Sequence, residues 1–125
     1  MSRPRRIDGF SYFGPHRYFL TFCTRSRARI FTDPAIVSET VEQIRRTSQD
    51  ERFALLAYCV MPDHVHLLVE GSSETSDLRR FVKLAKQRSG AQHALKHGGA
   101  LWQEGYHDRV LRAEDDTRLI APTLL

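Results

Sequence analysis

The stretch that decides the fold reads Phe53-Ala-Leu-Leu-Ala-Tyr-Cys-Val-Met-Pro-Asp-His-Val-His-Leu-Leu-Val-Glu70. Its first half is an apolar run of strand length, Pro62-Asp63 interrupts the run, and His64 resumes it. Proline and aspartate are typical turn residues, so the pattern predicts two strands joined by a tight turn.

Further elements are predicted on both sides of this hairpin. Asp33 and Pro34 form a helix start, with aspartate as the N-cap and proline at the first helical position. Ser76 or Asp77 is the expected cap of a second helix, which should end near the glycine pair at 98–99. The predicted order is a strand at 17–24, a helix from 34 to about 50, the two hairpin strands and a helix from about 77 to 97. A strand at 101–112 with an irregular entry at Gly105 follows, before a helical stub at about 113–121.

This order predicts an α+β, ferredoxin-like fold: an antiparallel sheet with its helices packed on one side. The apolar side chains of each helix should face the sheet. For the first helix the repeat of Val37, Val41 and Ile44 at i, i+4 and i+7 predicts that the helix runs to about Asp50. For the second helix the spacing predicts an inner face of Leu78, Phe81, Val82 and Ala85.

Composition excludes several classes of protein. The chain has 125 residues, of which 41% are hydrophobic and 27% charged, as in an ordinary single globular domain. No run approaches the roughly 18 apolar residues that cross a bilayer. The basic start of the chain has no apolar stretch behind it, and two cysteines cannot form a disulfide framework. We therefore expect a single domain over 1–125, with residues 1–15 as a basic arm, and neither a membrane nor a secreted protein.

The sharpest local feature is the pair His64 and His66. Residues two apart on a strand project to the same face, so both imidazoles should point one way while Val65 and Leu67 point the other. Two imidazoles about 6.6 Å apart along a strand can converge on one divalent cation. They are too few for a structural zinc site, which normally has four ligands, but suit an open site completed by another side chain, water and a substrate phosphate oxygen. The alternative is that the histidines only alternate with apolar residues on a half-buried strand.

Histidine-triad nucleotide hydrolases are a different class that also uses alternating histidines on a strand. Their chemistry needs a third histidine two residues further on. Here that position is Leu68, which argues against this class.

Two blocks of the chain resemble one family. Tyr58-Cys-Val-Met-Pro-Asp-His-Val-His-Leu-Leu-Val69 resembles the signature of the HUH single-tyrosine transposases, in which U is a hydrophobic residue. Leu101-Trp-Gln-Glu-Gly-Tyr-His-Asp-Arg-Val-Leu-Arg112 is similar to a second segment of the REP-associated tyrosine transposase branch. The resemblance spans about residues 10 to 121, and two blocks in order are far more specific than either alone.

The resemblance implies a DNA transposase that binds palindromic or hairpin single-stranded DNA. It nicks and rejoins the strand through a 5′-phosphotyrosine intermediate. It also implies that His64 and His66 hold a divalent cation, Mg²⁺ or Mn²⁺, and that the protein acts in the bacterial cytoplasm. Whether the chain forms a homodimer is left open.

The chain departs from the family at the nucleophile. The position expected for the catalytic tyrosine is Thr123, next to Pro122, which would distort the helix that presents it. We therefore expect a truncated tyrosine helix and a cleavage-defective chain. Tyr106 is the alternative nucleophile, since it lies near a histidine and an aspartate in the sequence.

Basic residues provide candidate DNA contacts. The net charge is +4 and the isoelectric point about 9.4, which favours polyanionic partners. On the second helix Arg79, Lys83 and Lys86 recur at i, i+4 and i+7, the geometry of a face along a phosphate backbone. In the arm, the candidates for contacts with DNA are Arg3, Arg5 and Arg6.

Two other functions remain compatible with the sequence. One is a non-catalytic nucleic-acid-binding protein on the same scaffold. The other is a metal-dependent phosphohydrolase that uses the histidine pair as ligands.

Overall fold

A computed structural model describes residues 11–111 of the chain. The strands are β1 (Arg17–Cys23), β2 (Phe53–Met61), β3 (His64–Gly71) and β4 (His107–Leu111), and the helices are α1 (Pro34–Asp50) and α2 (Leu78–His97). The predicted arm residues Arg3, Arg5 and Arg6, the helical stub and Thr123 lie outside the described residues.

The four strands form one antiparallel sheet in the order β2-β3-β1-β4. With two helices in the order βαββαβ, this is the predicted ferredoxin-like architecture. Strand β3 lies at its centre, paired with β1 on one side and β2 on the other. The prediction of an α+β fold is therefore confirmed.

The two faces of the sheet differ in what covers them. Side chains from alternate positions of β1 and β3 form the core with α1 and α2, and we call this side the helix face; its members include Tyr18, Leu20, Phe22, Val65, Leu67, Val69, Ile44, Phe81, Val82 and Ala85. The other side carries His64, His66 and their cross-strand neighbours Thr21 and Cys23. We call it the histidine face.

Both helices begin and end where the sequence predicts. The Asp33 carboxylate accepts a hydrogen bond from the Ala35 amide at 2.9 Å, and Asp77 caps α2 in the same way through the Arg80 amide. Gly98 ends α2 with a φ of 76°, a conformation that favours glycine. Neither helix in residues 11–111 is long and apolar enough to cross a membrane.

The apolar repeat that predicts α1 is fully buried at only one of its three positions. Ile44 is buried, but Val37 and Val41 are only half-buried. The helix is rotated so that Ile36 and two threonines face inward; Thr47 is tolerated there because its hydroxyl donates to the carbonyl of Gln43 at 2.8 Å. Because threonine is not counted as hydrophobic, a hydrophobicity pattern does not identify the buried face of α1.

The last strand has the irregular entry at Gly105 that the sequence predicts. Strand β4 begins only at His107, because the chain turns at Gly105, whose φ is 81°. Residues 11–15 do not extend freely as the end of an arm. Tyr12 is buried in the core, and its carbonyl accepts the Leu78 amide at the start of α2.

The core packing generates a stability prediction. Leu67→Ala, at a side chain 1% exposed, should lower the free energy of unfolding by about 2–5 kcal/mol because it leaves a cavity. The same change at Leu95, which is 88% exposed on α2, should shift it by no more than about 0.5 kcal/mol. Urea unfolding of both variants measures the difference, and equal losses would contradict the assignment of the core.

Candidate metal and nucleic-acid site

The alternation of β3 places both histidine rings on one face of the sheet. Their ring centroids are 4.7 Å apart and their planes cross at 77°. His64 pairs across the sheet with Cys23 of β1, and His66 pairs with Thr21. The intervening Val65 is buried on the helix face. The prediction that the two rings share a face and lie close together is confirmed.

His64 is held by a carboxylate. Its Nδ1 lies 2.7 Å from Oδ1 of Asp63, and the other oxygen of Asp63 accepts hydrogen bonds from Arg27 at 3.0 Å. An ionised carboxylate only accepts, so the Nδ1 of a neutral His64 carries the proton and its Nε2 lone pair is left for another ligand. Hydrogen bonds from His64 and from Arg27 lower the pKa of Asp63 to about 2. The acceptor therefore stays ionised at neutral pH.

His66 is held by a hydroxyl. Its Nδ1 lies 3.0 Å from Oγ1 of Thr21, which can accept a hydrogen bond from the Nδ1–H and again leave the Nε2 lone pair available. The ring of Phe19 lies beside it, with centroids 5.3 Å apart. Burial, and then the neighbouring His64, lower the pKa of His66. A lowered pKa keeps this imidazole neutral at physiological pH, which is the state that binds cations.

The pair has the donors of an incomplete metal site. Fixing Nδ1 through a carboxylate or hydroxyl is how proteins orient metal-binding imidazoles. No third histidine, cysteine, aspartate or glutamate in residues 11–111 completes a group that could hold an ion. As far as residues 11–111 are concerned, further ligands of a cation bound here would come from water or from a bound phosphate.

The four tyrosines of the chain all lie on the helix side of the sheet. Tyr18 pairs with Val69 and is fully buried, and Tyr12 stacks on it. Tyr58 pairs with Leu67 and is 45% exposed at the sheet edge. Tyr106, the alternative nucleophile, packs edge-on against Phe22 with centroids 6.3 Å apart. The structure does not bring any of them to the histidine face.

The three basic residues predicted on α2 have different surroundings. The Lys86 ammonium donates to the carbonyls of Gln103 and Gly105, so it holds the loop before β4. The Arg79 guanidinium lies 4.9 Å from the centre of the Tyr12 ring. Lys83 is exposed and has no side-chain partner within residues 11–111. A DNA contact by this face stays a prediction, and Lys83 is its most available cation.

Sequence reasoning missed the residues that orient the histidines. Thr21 and Arg27 come from a distant part of the chain, and only the register of β1 against β3 brings them to the pair. Asp63 was adjacent in sequence, but on an extended strand it would point to the opposite face. The strand begins at His64, so Asp63 lies in the turn and reaches the ring. The sequence signal for this contact was that Asp63 directly follows a proline, which places it in the turn before the strand.

The site predicts the tautomer of His64. At a pH where the imidazole is neutral, nitrogen NMR should show the proton on Nδ1 in the wild type. Asp63→Ala removes the acceptor and should shift the population toward the other tautomer. Asp50→Ala, which removes an exposed carboxylate paired with Arg88, is the control and should leave His64 unchanged. A wild-type His64 protonated on Nε2 would contradict the geometry.

Comparison with known proteins gives the family. The model of the family "Transposase IS200 like" matches residues 14–115. A putative REP-associated tyrosine transposase of Haemophilus influenzae is 23% identical over 112 residues, which cover 79% of this chain and 62% of that protein. This chain thus spans less than two thirds of the length of that relative.

Two solved structures are similar in fold. A REP-associated tyrosine transposase bound to a REP hairpin superposes with a TM-score of 0.78 at 22% identity, covering 99% of this chain and 70% of the other. A putative transposase from Deinococcus radiodurans gives a TM-score of 0.68 at 24% identity, covering 98% and 94%. Because the family model matches residues 14–115, which is most of the chain, the chain belongs to the IS200-like transposases.

Proposed function

We propose that this chain binds hairpin single-stranded DNA and places one phosphate of the strand at His64 and His66 through a divalent cation, Mg²⁺ or Mn²⁺. The observation that carries the proposal is the histidine pair itself: two adjacent rings on the histidine face, each anchored through Nδ1. Family membership supports DNA as the partner. We place this activity in the bacterial cytoplasm, where such DNA is available.

The donor set fits a divalent cation that also binds phosphate oxygen. Mn²⁺ accepts imidazole more readily than Mg²⁺ does, and both accept phosphate and water. When bound, such an ion would polarise a phosphodiester. The protein's own part is to keep His66 neutral by burial and to orient His64 through Asp63 and Arg27.

Covalent cleavage by these 125 residues is not part of the proposal. The family chemistry needs a tyrosine hydroxyl at the metal-bound phosphate, and all four tyrosines lie on the helix side of the sheet. Thr123, at the position expected for the nucleophile, has an alcohol that ionises far less readily than a phenol.

A homodimer is a further part of the proposal. β2 is an edge strand of the sheet and carries no charged residue from Phe53 to Met61. Native edge strands are usually protected by charges, and an unprotected edge favours pairing with a second strand. Three exposed apolar side chains line it: Leu56, Tyr58 and Met61. We propose this edge as the contact between two copies.

Binding should depend steeply on salt if α2 contacts the DNA backbone. Arg79→Gln with Lys83→Gln should reduce the log–log slope of hairpin affinity against salt by about 1.4 to 1.8, since each phosphate contact contributes about 0.7 to 0.9. Lys86 is retained because it holds the loop before β4. Fluorescence anisotropy over a salt series measures the slope. An unchanged slope would show that this helix face is only solvated surface.

No covalent protein–DNA adduct should form. Loss of the nucleophile typically reduces the rate by a factor on the order of 10⁴ or more. Denaturing electrophoresis with labelled single-stranded hairpin DNA and Mn²⁺ tests this, with a His64→Ala variant as the control for metal dependence. A metal-dependent adduct in the wild type that disappears in Tyr106→Phe would overturn the assignment and identify Tyr106 as the nucleophile.

A further inference from the structure

We infer that the exposed loop of residues 25–29 binds DNA through Arg25 and Arg29. Its ligands are the phosphates that neighbour, along the same strand, the phosphate placed at His64 and His66. This inference rests on the proposed function, because it assumes that a DNA strand reaches the histidine face. The loop would be a second surface that contacts DNA, in a segment for which the sequence predicted no role.

The loop is attached to the histidine pair by hydrogen bonds. Arg27 donates to Asp63, and Asp63 accepts from His64, so the loop is two hydrogen bonds away from a candidate metal-binding ring. The amide of Thr24 also donates to the carbonyl of Asp63 at 3.0 Å. The ring of His64 and the loop are therefore connected through a single carboxylate, that of Asp63.

The loop is held rigidly although all five of its residues are exposed. Thr24, fully buried at its base, donates its hydroxyl to the carbonyls of Ala28 and Asp63 at 2.8 and 3.1 Å. The amides of Arg25 and Phe31 donate to the carbonyls of Leu101 and Pro62. A preorganised loop loses little conformational entropy when it binds a ligand.

The backbone of the loop is strained at its tip. Ser26 and Arg27 have φ values of 56° and 53°, the left-handed region that residues other than glycine rarely adopt. Such conformations persist only where the surroundings enforce them, and they are concentrated at functional sites. Here the consequence is that three arginines are exposed within five residues.

The distribution of ion pairs decides which cations are available. Most basic side chains of residues 11–111 already contact a carboxylate, a carbonyl, a hydroxyl or an aromatic ring, including Arg17, Arg27, Arg45, Arg46, Arg52, Arg79, Arg80, Lys86, Arg88 and Lys96. Arg25 and Arg29 have no side-chain partner within the described residues, as is also the case for Lys83 on α2. Two unneutralised guanidinium groups on a rigid loop beside the histidine pair fit a phosphodiester backbone, which guanidinium binds through paired hydrogen bonds.

The test uses the full chain and a labelled hairpin oligonucleotide with single-stranded flanks. Arg25→Gln with Arg29→Gln should reduce the salt slope by about 1.4, at about 0.7 per single-strand phosphate, and weaken binding about 25-fold near 0.1 M salt. The matched control is Arg45→Gln with Arg46→Gln, which removes the same charge from α1, where both arginines pair with Glu42. The control should change the affinity less than twofold.

Uncharged methylphosphonate linkages show which part of the strand contacts the loop. Methylphosphonate linkages on either side of the phosphate expected at the histidine pair should weaken wild-type binding as much as the double substitution does. The variant and the wild type should then bind this modified strand equally. A double variant that binds the unmodified strand like the wild type, or that still binds the modified strand more weakly than the wild type, would overturn the inference.

The outcomes separate this inference from the function on which it rests. If the wild type does not bind the hairpin at all, both fail. If the wild type binds with a salt-dependent affinity that His64→Ala weakens in Mn²⁺, but the loop variant behaves like its control, only the role of the loop is overturned. Thermal unfolding of each variant shows whether its fold is retained.

Discussion

The two-residue alternation of β3 is the constraint on which the rest of the structure depends. Val65, Leu67 and Val69 are buried against the helices, so His64 and His66 must project from the other side of the same strand. A register slip by one residue would place two imidazoles in the core and expose the valines. The core therefore stabilises the orientation of the histidines, because the packing of the valines and the direction of the histidine side chains cannot change independently.

The same register brings together residues that are far apart in the chain. Pairing of β1 with β3 sets Thr21 beside His66 and carries the loop that follows β1 to Asp63. The result is a site with a half-buried polar side, where the Nδ1 atoms are engaged, and an exposed basic loop at residues 25–29. Rigid strands position the histidines, and a loop fixed by backbone hydrogen bonds positions the arginines, so both parts are formed before any ligand binds.

Much of this was predictable from the sequence because local signals agreed with the fold. The hairpin at Pro62-Asp63, the aspartate caps of both helices and the shared face of the histidines follow from turn chemistry, capping and strand periodicity. The buried stripe of α1 was less predictable, since it includes Thr47, whose hydroxyl donates to the Gln43 carbonyl of the same helix, and a hydrophobicity pattern does not record such a residue as buried. Whether an arginine is free to bind a ligand also depends on tertiary ion pairs. Arg27 and Arg29 look alike in sequence, yet within residues 11–111 only Arg27 contacts a carboxylate.

We propose that His64 and His66 hold one divalent cation together through Nε2. Pulsed electron paramagnetic resonance of bound Mn²⁺ measures this directly, since each coordinated imidazole adds a nitrogen hyperfine coupling. We expect couplings from two imidazoles in the wild type, one in His64→Gln or His66→Gln, and none in the double variant, while His97→Gln on α2 leaves both in place. Mn²⁺ that shows only water ligands, or couplings that survive the double substitution, would contradict it.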